Sequence, residues 1–192
     1  MKAHFKKHTL KFNQPGGTSR GVLTEKDSYF ILIEERDVIG VGECGLLRGL
    51  SADDVPDYEE ALEWTCMNFH IGLIALREEL KRFPSIYFGI EQALADFKSH
   101  GEKEFYKEPF VEGKQGILIN GLIWMGEPTF MKKQINAKLK EGFGCLKMKI
   151  GAIDWENELA LLKEVRKEFN KDQIELRVDA NGAFSEDEAK DI

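Results

Sequence analysis

Two short stretches constrain this chain most: CLKMKIG at 145–151 and QIELRVDANG at 173–182. Both read as strands, and each is divided the same way. Leu146, Met148 and Ile150 alternate with Lys147 and Lys149. Ile174, Leu176 and Val178 alternate with Glu175, Arg177 and Asp179. Successive strand residues point to opposite faces, so each strand has one apolar face and one charged face, the two lysines being roughly 7 Å apart along theirs. Strands of an open doubly wound sheet are covered by helices on both sides and read as near-continuous apolar runs. A barrel fits this split better: apolar side chains pack against outer helices and charged ones line the lumen.

The surrounding grammar agrees. ILING (117–121) reads as a strand, EPTFMKKQINAKLKEGF as a helix with Pro128 in its first turn, and 145–151 as a strand. A helix follows with the stripe Trp155, Leu159, Leu162, Val165 and Phe169, then the second charged strand. Ser185 and Glu188 are spaced as a capping box opening another helix. Strands alternating with helices at this spacing predict parallel βα units. Lys149 and Asp179 fall at the C-terminal ends of their strands, the end of a (β/α)₈ barrel that carries its active site.

The preceding residues follow another pattern. His4 to Phe12 alternates; NQPGGTSRG reads as a flexible loop; residues 27–35 and 38–43 form a hairpin around Arg36-Asp37. Residues 57–83 show helical spacing through Leu62, Cys66, Phe69 and Leu73, and Pro84 separates this from a second helix at 85–100. The expected organisation is an α+β capping domain at 1–110, followed at 111–192 by the first three βα units of an incomplete (β/α)₈ TIM-type barrel. Three parallel strands with open edges make a poor domain boundary. The rest of the barrel is therefore expected from further C-terminal sequence or from a second chain.

Charge and cysteine usage narrow the function classes. With 27 basic against 34 acidic residues and no basic stripe, nucleic acid is not an expected partner. No apolar run is long enough to span a membrane, and the N-terminus has no apolar signal region, so no membrane partner is expected. Cys44, Cys66 and Cys145 show no metal-ligand spacing and suit reduced thiols in a cytoplasmic protein. GVGECG (40–45) matches G-x-G-x-x-G but ends a hairpin strand with no helix after it, so dinucleotide binding is not expected. Its glycines are read as letting a strand end bend near another surface. The four histidines are dispersed, and Glu91 and Asp96 are read as structural.

A KxK on a strand alone suits a solvated edge, and Asp before a turn is common. Both together, one βα unit apart and polar on one face, point to a site. Burial and a neighbouring cation lower a lysine's pKa and let it accept a proton near neutrality. Asp179 suits a hard oxygen ligand for Mg²⁺, though one carboxylate needs others beside it.

KMK and RVDANG closing successive strands behind a small α+β module resemble the enolase superfamily, in particular its muconate-lactonizing subgroup. GGTSRGVLTEKDSYF, GVGECGLLRGLS, FGIEQALADF and INGLIWMG are similar to the o-succinylbenzoate-forming family of menaquinone biosynthesis. The resemblance implies a Mg²⁺-dependent lyase acting on a small-molecule carboxylate. Lys149 would remove the proton α to the carboxylate and return it to the leaving hydroxyl in a syn-dehydration through an enediolate. Lys147 would lower the pKa of Lys149 and help stabilise the enediolate. Asp179 would be the first of three metal carboxylates, with Asn181 near the metal site and Arg177 a candidate substrate contact. Thr18, Ser19 and Arg20 would belong to a loop closing over the site, Arg20 placed to meet a carboxylate. The other metal ligands and an opposing sixth-strand lysine would lie beyond Ile192.

The alternatives are a dipeptide epimerase, an N-acylamino acid racemase or a muconate cycloisomerase of the same superfamily, and, in another class, a non-catalytic binding or assembly fragment. On this reading the 192-residue chain alone should show no dehydratase turnover. Measurable Mg²⁺-dependent product formation by the purified chain would overturn it.

Overall fold

The computed structural model describes residues 1–18, 21–151 and 154–191. The chain divides into two compact units, one built from Met1–Gly16 and Val22–Gln115 and one from Gly116 onward.

The first unit carries a three-stranded sheet in the order β1 (Lys2–Thr18), β2 (Gly21–Glu35), β3 (Val38–Cys44). β2 and β3 are antiparallel, joined through Arg36-Asp37, with Arg36 in the left-handed region at φ 56°. The expected hairpin is present. The expected loop at 13–21 is instead mostly strand. Its residues up to Pro15 are exposed, and an exposed ribbon is held by backbone hydrogen bonds, which Gly, Ser and Thr content does not report.

The register places Tyr29, Ile31 and Ile33 opposite Cys44, Gly42 and Gly40 on one face. Helix α3 (Pro84–Lys98) lies directly on this face. A Cβ on Gly42 would stand 1.8 Å from the Gly89 carbonyl oxygen, and one on Gly40 2.2 Å from that of Ala93. A Cβ on Gly89 would meet Cys44 Sγ at 2.3 Å. Gly40 and Gly42 of GVGECG therefore serve helix-on-strand packing. Asp96, wholly buried on α3, accepts the Val41 and Lys103 backbone N–H groups at 2.8 Å each, a structural role as expected.

The helical pattern over 57–83 resolves into α1 (Tyr58–Asn68), a 3₁₀ turn and α2 (Leu73–Glu79). Gly72 breaks it at φ 91°, ψ 156°, a conformation open essentially to glycine. Leu62, Cys66 and Phe69 enter the core, while Leu73 beyond the break is only partly buried. Tyr29, Tyr58 and Phe83 form a chain of ring contacts through it, with centroid spacings of 5.3 and 6.3 Å.

The second unit has the parallel order β4 (Gly121–Ile123), β5 (Cys145–Lys149), β6 (Glu175–Asp179). Between them run α4 (Pro128–Lys140) and α5 (Trp155–Glu168), and α6 (Glu188–Asp191) follows. The expected strand at 117–121 begins only at its last residue. Gly121 is the first to find a parallel partner, Leu146, and Ile117, Leu118 and Ile119 stand at least 60% exposed. Met131 and Ile135 of α4 and Leu161 and Val165 of α5 pack on Ile123, Leu146, Met148 and Ile174. The helices thus cover the apolar face. Burial on α5 centres on Glu158, Leu161 and Val165, a rotation from the expected stripe. The capping box is present: Ser185 N–H donates to Glu188 Oε2 at 2.8 Å, and Glu188 N–H returns to Ser185 Oγ at 3.3 Å. No helix among the described residues is long and apolar enough to cross a membrane.

Gly42→Ala should destabilise the chain by about 1–3 kcal/mol, as overpacking against immovable backbone does. Gly45→Ala, whose Cβ would meet nothing nearer than 4.0 Å, should shift a urea midpoint little. Equal midpoints for the two variants would contradict the close approach of α3.

Candidate active site

The pleat and register of the parallel sheet bring the candidate residues together. Lys147 lies across from Arg177 and Lys149 from Asp179. On the other side Leu122 faces Lys147, and Trp124, one residue past the Ile123–Met148 pair, extends toward Lys149. All six share the face opposite the helices.

The ion pair is diagonal. Lys147 Nζ meets Asp179 Oδ2 at 2.8 Å, with 35% and 27% of the two side chains exposed. The Asn181 backbone N–H, at the start of a left-handed turn (φ 50°), donates to Asp179 Oδ1 at 3.1 Å. The Lys147 ammonium, and then this N–H, hold the Asp179 carboxyl below its ordinary value. Lys149 Nζ instead donates to Asn181 Oδ1 at 2.8 Å and sits 5.3 Å from the Trp124 ring centroid. One lysine is thus fixed to a carboxylate, and the other is held by neutral groups. The first offsets the repulsion between two ammonium groups on one strand. The second leaves Lys149 outside any ion pair among those described.

Arg177 occupies the same face but bonds Glu175 through Nε at 2.8 Å. Ser19 and Arg20 lie outside the described residues, and of Thr18 only the backbone is described. Both Asp179 oxygens are engaged by Lys147 and Asn181, and no three His, Cys, Asp or Glu side chains converge among the described residues. These residues do not by themselves fit Mg²⁺, which takes near-octahedral oxygen coordination.

Three residues escaped the sequence reading. Glu158, wholly buried on α5, accepts the Gly151 N–H at 2.8 and 3.0 Å and so fixes the turn that follows Lys149. A buried acid inside an apolar stripe leaves no mark in periodicity. Trp124 and Gln134 show only once the register is known: Trp124 N–H donates to Gln134 Oε1 at 3.0 Å, and Gln134 Nε2 donates to Trp124 O at 2.9 Å.

Residues 131–192 match the family model described as enolase C-terminal domain-like. The chain is 39% identical to an o-succinylbenzoate synthase of Desulfotalea psychrophila, over 96% of this chain and 59% of that protein. It is 27% identical to a hydrophobic dipeptide epimerase of a Flavobacteria bacterium, over 99% and 56% respectively. The crystal structure of MenC from Desulfotalea psychrophila superposes with a TM-score of 0.76 at 34% identity, over 96% of this chain and 58% of that one. Over residues 131–192 the chain matches that family, and by sequence and fold it resembles proteins of the enolase superfamily. Within it the chain is similar to o-succinylbenzoate synthase, and it spans somewhat over half the length of the curated relatives it matches.

A carboxyl with a lowered pKa contributes stability that is present above the ordinary 3.8 and lost as pH falls through its folded value. In the metal-free chain an NMR titration should give Asp179 a midpoint below 3.8, returning toward it in Lys147→Met. An unchanged midpoint in the variant would show that the ion pair does not form.

Proposed function

We propose that the chain is the lysine-bearing part of an o-succinylbenzoate synthase, a lyase that dehydrates a cyclohexadiene carboxylate through an enediolate. Residues 1–110 act as its capping domain, and 111–192 supply the first three βα units of a (β/α)₈ barrel. The observation that carries the reading is the unequal pairing of the two lysines: Lys147 bonded to Asp179, Lys149 resting on Asn181 and Trp124. The 39% identity to a synthase supports the choice of reaction.

Lys149 takes the proton α to the substrate carboxylate and gives it back to the departing hydroxyl on the same side, so that one base serves both halves of a syn-elimination. Lys147, tied to Asp179, is the fixed positive neighbour of the developing enediolate. Arg20, Thr18 and Ser19 contact the substrate, and Arg177 and Asn181 border it. Mg²⁺ is the cofactor of the complete protein. Among the described residues Asp179 is the carboxylate that would serve as a ligand, and the other donors come from outside them.

The likeness to a hydrophobic dipeptide epimerase favours a second reading, in which the same α-proton is moved between two faces of the carbon. Epimerisation needs bases on both faces. Lys149 suffices as the base for the dehydration, whereas the epimerase would also need the opposing sixth-strand lysine expected beyond Ile192.

The full-length protein assayed with Mg²⁺ should convert the cyclohexadiene carboxylate to o-succinylbenzoate and leave a dipeptide panel largely unchanged. Lys149→Met should lower kcat by about 10²–10⁴-fold, the usual contribution of a positioned base. Turnover of dipeptides alone would sink the synthase reading in favour of the epimerase. Dehydration that survives Lys149→Met would remove Lys149 from its role.

A further inference from the structure

β4 ends at Ile123, so the backbone N–H and C=O of Trp124 lie past the Ile123–Met148 rung of the parallel ladder. At an exposed strand end such groups are met by water or by a side chain. Here one side chain meets both. The Gln134 carboxamide on α4 accepts from Trp124 N–H at 3.0 Å and donates to Trp124 O at 2.9 Å, doing what a neighbouring strand would do. The consequence falls on Lys149. Its ammonium lies 5.3 Å from the indole centroid and 2.8 Å from Asn181 Oδ1. In register, however, Lys149 stands directly opposite Asp179, the one carboxylate on this face close enough to capture it. The carboxylate goes to Lys147, two residues earlier on the same strand.

We propose that Trp124 and Gln134 are a positioning pair: the Gln134 amide locks the Trp124 backbone, and the indole face holds the Lys149 amine toward Asn181 and away from Asp179. Resting on the assignment of Lys149 as the base, this adds two residues, one on α4 and remote from the reacting atoms. The attraction of an ammonium to an indole face is modest at a half-exposed site, but it carries no counter-charge. It therefore selects a place for the amine without trapping it in an ion pair. Trp124→Phe keeps an aromatic face and serves as the conservative variant; Gln134→Leu removes both amide bonds and leaves the ring in place.

Two measurements test the pair. In the full chain, the ε-methylene protons of Lys149, assigned by their loss in Lys149→Met, should be shifted upfield by the indole ring current. The shift should largely persist in Trp124→Phe, collapse in Trp124→Leu, and shrink in Gln134→Leu while the thermal midpoint of that variant stays near wild type. In the full-length protein, Gln134→Leu and Trp124→Leu should lower kcat for dehydration about two- to fivefold, the worth of one such contact, with KM little changed and Trp124→Phe near wild type. An unshifted Lys149 methylene in the wild-type chain, or a shift indifferent to Gln134→Leu, would overturn the proposal. So would a loss of activity that tracks only the thermal midpoint. Failure of the wild-type protein to dehydrate the substrate would defeat the synthase reading instead, and the ring-current shifts would still decide the pairing.

Discussion

The parallel register of β5 on β6 governs everything in the second unit. It sets Leu146 beside Leu176 and Met148 beside Val178 on the face where α4 and α5 pack, Val178 staying 51% exposed, and Lys147 beside Arg177 and Lys149 beside Asp179 on the other. A slip of one residue would turn two ammonium groups into the helix layer and expose the core-forming leucine and methionine, so the hydrophobic pattern admits one pairing only. The register has an electrostatic cost on the charged face. Two ammonium groups about 7 Å apart repel by roughly 0.6 kcal/mol in water and about 2.4 kcal/mol at an effective dielectric near 20. Placing Asp179 within 2.8 Å of one of them offsets that repulsion, and the half-burial of the pair makes the offset larger than at an open surface.

A different constraint organises the first unit. Helix α3 approaches β3 so closely that three glycines, Gly40, Gly42 and Gly89, are required at the contact. Tyr29, Ile31 and Ile33 complete that face and are wholly buried, and Asp96 ties the helix to the Val41 backbone beside it. The G-x-G-x-x-G spacing here answers to steric fit between a strand and a helix. The same residue type that lets a phosphate reach a backbone elsewhere lets a carbonyl-lined helix reach one here.

Features that depend on nearest neighbours in sequence were legible: the β2–β3 hairpin, the Pro128 and Ser185–Glu188 helix starts, and the division of 145–151 and 173–182 into apolar and charged faces. Features that depend on a partner distant in sequence were not. Ile117, Leu118 and Ile119 have strand composition, but β5 offers pairing only from Leu146, opposite Gly121. Residues 57–83 keep a helical period across Gly72, where the backbone conformation breaks the helix. The candidate site divides along the same line. Lys147, Lys149 and Asp179 follow from alternation within strands. Trp124, Gln134 and Glu158 enter through hydrogen bonds and ring contacts that cross from one element to the next.

The unequal treatment of two chemically identical side chains is what turns this face from a charge cluster into a candidate catalytic one. Lys147 and Lys149 share strand, face and surroundings to within one pleat, yet one is bound to a carboxylate and the other to an amide oxygen and an indole. Lys147 is thereby tied to a formal negative charge, while the groups that Lys149 touches carry none. The carboxylate that could erase the distinction stands directly across from Lys149; the proposed restraint lies on the other side of the strand, at Trp124, and adds to the bond with Asn181.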